Sequence, residues 1–553
     1  MAAKRKATSR SGNFLLLVLL ATVMFRCADK PEKLFQALPS EKTGITFSNT
    51  FTYSDTLSVL DFEYMYNGGG VAVGDINNDG LQDIYFTGNM VSSRLYLNKG
   101  NLRFEDVTEK AGVGTSKWAN GVSMVDINQD GFRDLYVCMG GNRNTPEKDR
   151  INVLFINNGD GTFTESARKY GLDDSGYAIQ STFFDYDRDG DLDLYLLRNS
   201  FVSYHRNTSR PKQIHGEAYS TDRLFRNNGD QTFTDVSKEA GITIEGFGLG
   251  VEIADINEDG WPDVYVSNDF ITNDLLYINN HDGTFSNRIG QYLKHQTFNG
   301  MGTDLADYNN DGKVDIFVLD MLPEDNKRWK LTPRGNTYDE FQNGIRLGYE
   351  PQYIRNTLQL NNGNGTFSEI GQLAGVEATE WSWAALFADY DNDGYKDLFI
   401  TNGYGKDVTN LDFIVYGERA ESMGLDEKSR KERQAVLNSL PGIKIPNYIY
   451  RNKGDLTFLD VSKEWGMTDP TYSNGAAYAD LDNDGDLDLV INNIDGEASL
   501  MECQARQLKK DSTSNYLRIF FDGPTGNRDG LGTKVVIRHN GTQQFQYFTP
   551  VRG

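Results

Sequence analysis

The sequence predicts an all-β chain: a seven-bladed β-propeller with a Ca²⁺ loop in each blade, followed by a partial C-terminal β domain. Three observations carry this. A nine-residue pattern with Asp at 1, Asp or Asn at 3, Asp at 5, Gly at 6 and Asp at 9 occurs seven times in the 553 residues. Each copy lies between short runs rich in β-branched and aromatic residues, such as Val71-Ala-Val-Gly74 before the first and Ile84-Tyr-Phe86 after it. After each of the first six copies comes a second hairpin signature, best seen as Leu154-Phe-Ile-Asn157-Asn-Gly-Asp-Gly-Thr-Phe163. Apolar alternation around an Asn/Gly/Asp turn is a hairpin signal, so each unit supplies four strands.

The loops carry the chemistry. Their candidate metal ligands are Asp75, Asn77, Asp79 and Asp83; Asp126, Asn128, Asp130 and Asp134; Asp185, Asp187, Asp189 and Asp193; Asp255, Asn257, Asp259 and Asp263; Asp307, Asn309, Asp311 and Asp315; Asp389, Asp391, Asp393 and Asp397; and Asp480, Asp482, Asp484 and Asp488. A hard cation needs several oxygens gathered by a tight turn, with Gly where the backbone takes an unusual angle. Unpaired carboxylates at such density would repel one another. All-oxygen ligands favour Ca²⁺ over Zn²⁺, and flexible carboxylates favour it over Mg²⁺, so up to seven Ca²⁺ are expected. An EF-hand would place a bidentate Glu at position 12 and a helix on each side. Position 12 is instead Phe86, Val137, Leu196, Val266, Val318, Ile400 and Ile491, so the loops join strands.

Residues 1–26 begin with a basic stretch, followed by the apolar run Phe14 to Phe25. That run is short for a membrane span and reads as a secretory signal. Cys27 follows directly, as in a bacterial lipoprotein signal, where this Cys is lipidated. Simple cleavage and an uncleaved anchor stay open. Residues 27–42 read as a tether. Outside the cell, calcium modules work with dissociation constants of about 10⁻⁴–10⁻³ M.

The propeller is expected over 43–503. The first Asp residues of successive loops stand 51, 59, 70, 52, 82 and 91 apart. The seventh unit has only Ala498-Ser-Leu-Met501 after its second strand, so one strand is missing. Thr43-Gly-Ile-Thr-Phe47-Ser-Asn49 is expected to supply it and close the ring. The residues before the loops are small or aromatic, as in Gly68-Gly-Gly70 and Phe298-Asn-Gly-Met-Gly302. Gly suits inner strands crowded around an axis. Trp118, Phe247, Phe298, Trp381 and Trp383 either pack there or form a ligand platform.

Insertions at 320–357 and 403–447 break the period, the second with a charged helical stretch over 417–440. Insertions on one face of a scaffold are a usual seat of binding specificity. Residues 504–513 read as a linker and 514–553 as the start of another β domain. The net charge of −24 argues against a nucleic-acid partner. Five scattered His give no histidine-centred site, and Cys27, Cys138 and Cys503 make no disulfide framework. Cys138 falls in a strand and reads as a small buried hydrophobe.

The seven loops and the Asn-Asn-Gly-Asp-Gly-Thr-Phe turns resemble the FG-GAP/VCBS repeats of integrin α-subunit propellers and secreted bacterial proteins. Asn527-Arg-Asp-Gly-Leu-Gly-Thr-Lys534 looks like the start of an ASPIC/UnbV domain. Together they imply an exported bacterial protein of the CRTAC1-like kind. The resemblance implies Ca²⁺ and a propeller. With no Arg-Gly-Asp and no inserted adhesion domain, it does not carry integrin adhesion across. The expected function is a calcium-stabilised binding or adhesion module for an extracellular protein or glycan, held to the membrane by a lipid anchor only. The alternatives are a polysaccharide lyase or hydrolase, with Glu380 as a candidate acid, and a scaffold subunit of an outer-membrane complex.

Overall fold

The computed structural model describes residues 33–551, apart from 55–56, 60–61, 201, 203–209, 271, 334–336, 416–433 and 510–515. The signal, Cys27 and most of the 417–440 stretch lie outside the described residues. The flanks of that stretch, 411–415 and 434–439, are helical.

Seven four-stranded antiparallel sheets form, six in simple up-and-down order and the seventh with its outer strand taken from the start of the chain. The first blade runs Val71–Gly74, Asp83–Phe86, Arg94–Asn98 and Phe104–Asp106. The first strand of each blade touches those of its two neighbours, and Val71–Gly74 touches Ser473–Ala479 of the seventh, so the ring is closed. The acidic loop joins the first and second strands of every blade, and an Asn-headed turn joins the third and fourth in the first six. In an antiparallel sheet both connections fall on one face. The long insertions follow second strands, so they fall on the other.

Inner-strand glycines are there for space. A Cβ on Gly121 would stand 2.6 Å from the Ile179 carbonyl oxygen, and one on Gly302 would collide with that of Trp383. The cores lie between neighbouring blades, filled by fully buried side chains such as Tyr136 and Tyr265. Cys138 is wholly buried in one of them, and burial pushes its thiol up to about 12.

The ring closes with a different strand from the one expected. Phe35–Leu38 pairs antiparallel with Ser499–Cys503, with Phe35 opposite Cys503 and Leu38 opposite Leu500. The segment expected there, Thr43 to Asn49, runs beside the same blade but makes only isolated bridges, Ser48 to Glu497 and Asn49 to Ile494. The tether expected over 27–42 therefore contains a propeller strand. The reason is packing. Phe35 is buried on the side of the sixth blade and Leu38 on the side of the first, and the Phe35 ring meets Tyr390 edge-on at 5.7 Å. Phe47 instead stacks on Phe86 of the first blade at 5.1 Å. A short helix, Ser40–Thr43, then ends at Gly44 with φ 80°, as Thr108–Ala111 ends at Gly112 after the first blade's outer strand.

The aromatic residues before the loops pack. Trp118 meets Phe62 edge-on at 5.0 Å, Trp381 stacks on Tyr404 at 3.7 Å, and Trp383 Nε1 donates to the Gly403 carbonyl at 2.7 Å. Phe247 and Phe298 are buried. Phe51, Phe62 and Tyr66 pack in one cluster with Trp118, Trp381 and Tyr404.

Candidate metal centres at the hairpin tips

Each acidic loop is built by its own side chains before any ion is considered. The Gly at position 6 donates its N–H to Oδ2 of the Asp at position 1 in all seven copies, at 2.8 to 3.2 Å. That Gly has φ between 85° and 99°, the left-handed region where only Gly is free of strain. Position 4 is left-handed too, at φ 55° to 65°, in Asn78, Gln129, Arg188, Glu258, Asn310, Asn392 and Asn483. Two left-handed residues curl the tip so that positions 1, 3 and 5 converge. In the third, sixth and seventh loops, carboxylate oxygens of Asp185, Asp187 and Asp193, of Asp389, Asp391 and Asp397, and of Asp480, Asp482 and Asp484 lie within 4.8 Å of one another. In three of the loops with Asn at position 3, its Nδ2 donates to the Asp at position 5: Asn77 to Asp79 at 3.0 Å, Asn128 to Asp130 at 2.9 Å and Asn257 to Asp259 at 2.6 Å. Basic side chains approach other loops. Lys313 pairs with Asp311 at 2.9 Å, and Arg451 with Asp391 at 3.1 Å and Asp393 at 3.0 Å.

The Asp at position 9 has a second task. It is buried in every copy and accepts a backbone N–H from the third strand, from Asn98 to Asp83 at 2.8 Å in the first blade. In six copies its other oxygen accepts the N–H of position 2, as Ile76 does to Asp83 at 3.0 Å. Burial pushes Asp83, Asp134 and Asp263 up to about 7, Asp488 to about 8 and Asp193 to about 9, with like charges in the loop adding to the rise. Asp315 and Asp397 are raised well above the usual carboxylate range for the same reason. A buried carboxylate shifted this far either takes a proton or needs a cation.

The donor set fits a hard divalent ion. Oδ1 of Asp185, Oδ2 of Asp315 and Oδ1 of Asp391 are buried without a hydrogen-bond partner. Buried polar atoms are normally satisfied, and these are oxygens that an ion would engage.

Another set of residues was missed in the sequence. In five of the six blades that have it, the Asn opening the turn after the third strand ties one blade to the one before, while Asn227 Nδ2 donates to Leu192 of its own blade at 3.2 Å. Asn157 Nδ2 donates to the Ile76 carbonyl of the first blade's loop at 2.8 Å. Asn98 does so to Leu481 at 2.8 Å, Asn279 to Tyr186 at 2.8 Å, Asn361 to Ile256 at 3.3 Å and Asn452 to Tyr308 at 2.8 Å. Cys503 holds that place in the seventh blade, and its thiol lies 3.4 Å from the Tyr390 carbonyl. The signal was there, since Asn recurs at 98, 157, 227, 279, 361 and 452, but it reads equally as turn chemistry. Glu380 is not set up as a free acid: Arg328 pairs with it at 2.8 Å and with Asp407 at 2.5 Å.

The family model for the FG-GAP-like repeat matches residues 75–137, 138–196, 214–266, 255–318, 351–400 and 439–491. The chain belongs to this family. Curated proteins match parts of the chain at lower identity. Cartilage acidic protein 1 of Xenopus tropicalis is 26% identical over 337 residues, 55% of this chain and 45% of the relative. The Homo sapiens protein of that name is 26% identical over 209 residues, 36% of this chain and 28% of the relative. The chain thus spans less than half the length of these relatives. Among solved structures, an Agrocybe aegerita lectin that recognises non-reducing terminal N-acetylglucosamine aligns with a TM-score of 0.37 and 16% identity, covering 72% of this chain and 84% of the lectin. Rhamnogalacturonan lyase YesW aligns at 0.36 and 12%, covering 79% and 72%. Both structural likenesses are slight.

Proposed function

We propose that this FG-GAP propeller is an exported, calcium-stabilised binding module that offers its insertion face to a protein or glycan at a cell surface. The supporting observation is the division of labour between the two faces. One carries seven acidic tips of common geometry. The other carries the long insertions, and described residues in them are tied down. Arg328 bridges the first insertion to Glu380 and Asp407, and Tyr349 Oη donates to the Arg210 carbonyl at 3.0 Å. On this fixed face Trp329, Tyr338, Tyr353 and Tyr219 are 48%, 76%, 44% and 61% exposed. Exposed aromatics on a rigid frame supply contact area at small entropic cost.

The ions would be structural. Asp and Asn oxygens at positions 1, 3, 5 and 9 would hold Ca²⁺, up to seven in all, and the charge supplied would remove the repulsion within each tip. Export by the 1–26 signal, lipid anchoring at Cys27 and an ASPIC/UnbV-type β domain from residue 514 belong to the same proposal. No helix among the described residues is long and apolar enough to cross a membrane.

A glycan array together with a pull-down from membranes, both in Ca²⁺, tests the reading. Binding that falls at least tenfold in Trp329→Ala or Tyr338→Ala supports it. Binding that ignores both, or turnover of a polysaccharide lost when the first insertion is changed, counts against it.

A further inference from the structure

The face that carries the acidic tips is covered by the chain's own C-terminal segment. Tyr516 lies against Gly485 of the seventh loop, and Arg518 donates to Asn483 of the same loop. Gly526 passes so close to the Gly190 carbonyl of the third loop that a Cβ has no room. Asp529 pairs with Arg133 at 3.1 Å, and Arg133 in turn donates to the Asp75 carbonyl at 3.2 Å, so one cation joins the segment to the first two loops. The hairpin Lys534–His539 and Thr542–Tyr547 then reaches the fifth and sixth loops. Gln544 donates to the Gly394 carbonyl at 3.1 Å, and Lys396 Nζ spans the Asp307 carbonyl at 3.0 Å and the Phe545 carbonyl at 2.8 Å. Phe545 and Leu531 are buried against the blades at 3% and 8% exposure. Beneath the segment lies a chamber of about 530 Å³ lined by Val71, Val122, Leu386, Phe548 and Val551.

The segment reads the loops by their shape. Of the contacts just named, the Asp529–Arg133 ion pair joins two charged side chains, and the others fall on main-chain carbonyls, a side-chain amide or the close-approach glycines. Just before the segment, Gln507 reaches the Asp484 carboxylate at 2.7 Å and Lys509 that of Asp391 at 3.8 Å. Even Lys509 and Arg506 donate to carbonyls, those of Asp391 and Asp484. Charge also favours docking. Residues 504–553 hold eight Lys and Arg against three Asp in a chain of net charge −24. Ion loading would weaken that attraction while fixing the turns that aim the carbonyls. The contacts decide between the two effects, because they depend on the turn.

We infer that divalent-ion loading of the loops and docking of segment 516–551 are linked: filled loops hold the segment down, and emptied loops release it and open the chamber. The inference rests on the calcium reading above. Two events that need the same loop shape favour each other reciprocally. Freeing the segment therefore lowers calcium affinity.

Hydrogen–deuterium exchange on the full chain tests this, with calcium counted separately by calorimetry. In Ca²⁺, the amides of 534–547 are slow to exchange. With chelator they exchange at least about tenfold faster, while 134–139 in the second blade stay slow. In Gly526→Val, placed where no side chain fits, the hairpin exchanges faster even in Ca²⁺. Calcium affinity then falls by about fivefold or more, the usual span of such coupling. Protection of 534–547 that persists after calorimetry shows the calcium gone overturns the linkage and leaves the calcium reading standing. Unchanged affinity in Gly526→Val with the hairpin freed does the same. No calcium bound at all overturns both.

Discussion

Asn157 and Asn158 are neighbours of one residue type, and the structure gives them opposite weights. Asn157 is 2% exposed. Its Nδ2 donates to Ile76 of the preceding blade at 2.8 Å and to Arg133 at 3.1 Å, and its Oδ1 accepts the Gly159 N–H at 3.0 Å. Asn158 is exposed, and its side chain bonds side chains of its own turn, Thr162 at 2.9 Å and Thr164 at 3.1 Å. Truncating Asn157 to Ala removes three hydrogen bonds, each with a net value of about 1 kcal/mol, and strands a buried carbonyl. The expected loss is about 2–4 kcal/mol, because the carbonyl cannot reach water. Truncating Asn158 should cost within about 0.5 kcal/mol, as for ordinary surface positions. Urea unfolding of the two variants in saturating Ca²⁺ measures the difference. Equal midpoints would refute the idea that this Asn staples one blade to the next.

Three further outcomes follow from particular contacts. Gly302→Ala places a methyl against the Trp383 carbonyl where inner strands cross, and should lower stability by about 1–3 kcal/mol in thermal unfolding, as overpacking does. Leu38→Asp puts a charge on the strand that closes the ring. It should destabilise by more than about 2 kcal/mol, whereas Gln36→Asp, at an exposed position of that strand, should not, in the same assay. In the ion-free protein, Asp83 and Asp134 sit near 7 and Asp193 near 9, above their unfolded value of 3.8. The folded state then binds more protons between about pH 4 and 9, so stability falls as pH rises through that window. Chelated protein should unfold at lower urea at pH 8 than at pH 5, and saturating Ca²⁺ should flatten that slope.

The blades and the acidic tips were legible because each rests on a strong local pattern: strand periodicity, Gly at position 6, and acids at fixed spacing. Inner-strand glycines such as Gly121 and Gly302 were legible for the same reason, since crowding at an axis has a small-residue signature. The closing strand was not. Thr46-Phe47 copies the Thr-Phe start of most other outer strands, while Phe35-Gln-Ala-Leu38 has only two buried residues, three apart and so on opposite faces. The better signal was the helix ending in a left-handed Gly, shared by Gly44 and Gly112. Position 4 of the loops was hidden because Gln129, Arg188 and Glu258 do not advertise a left-handed backbone. The Asn staples and the seat of the C-terminal segment were beyond sequence reading, since both are contacts between units far apart in the chain. Asn98 to Leu481 and Gln544 to Gly394 are such pairs.

Native mass spectrometry of the full chain, titrated with Ca²⁺ and paired with thermal unfolding, tests the central claim most directly. The account predicts several ions bound, up to seven, and a melting temperature that rises with their number and drops on chelation. A chain that takes up no ions, or melts at one temperature with and without chelator, contradicts it.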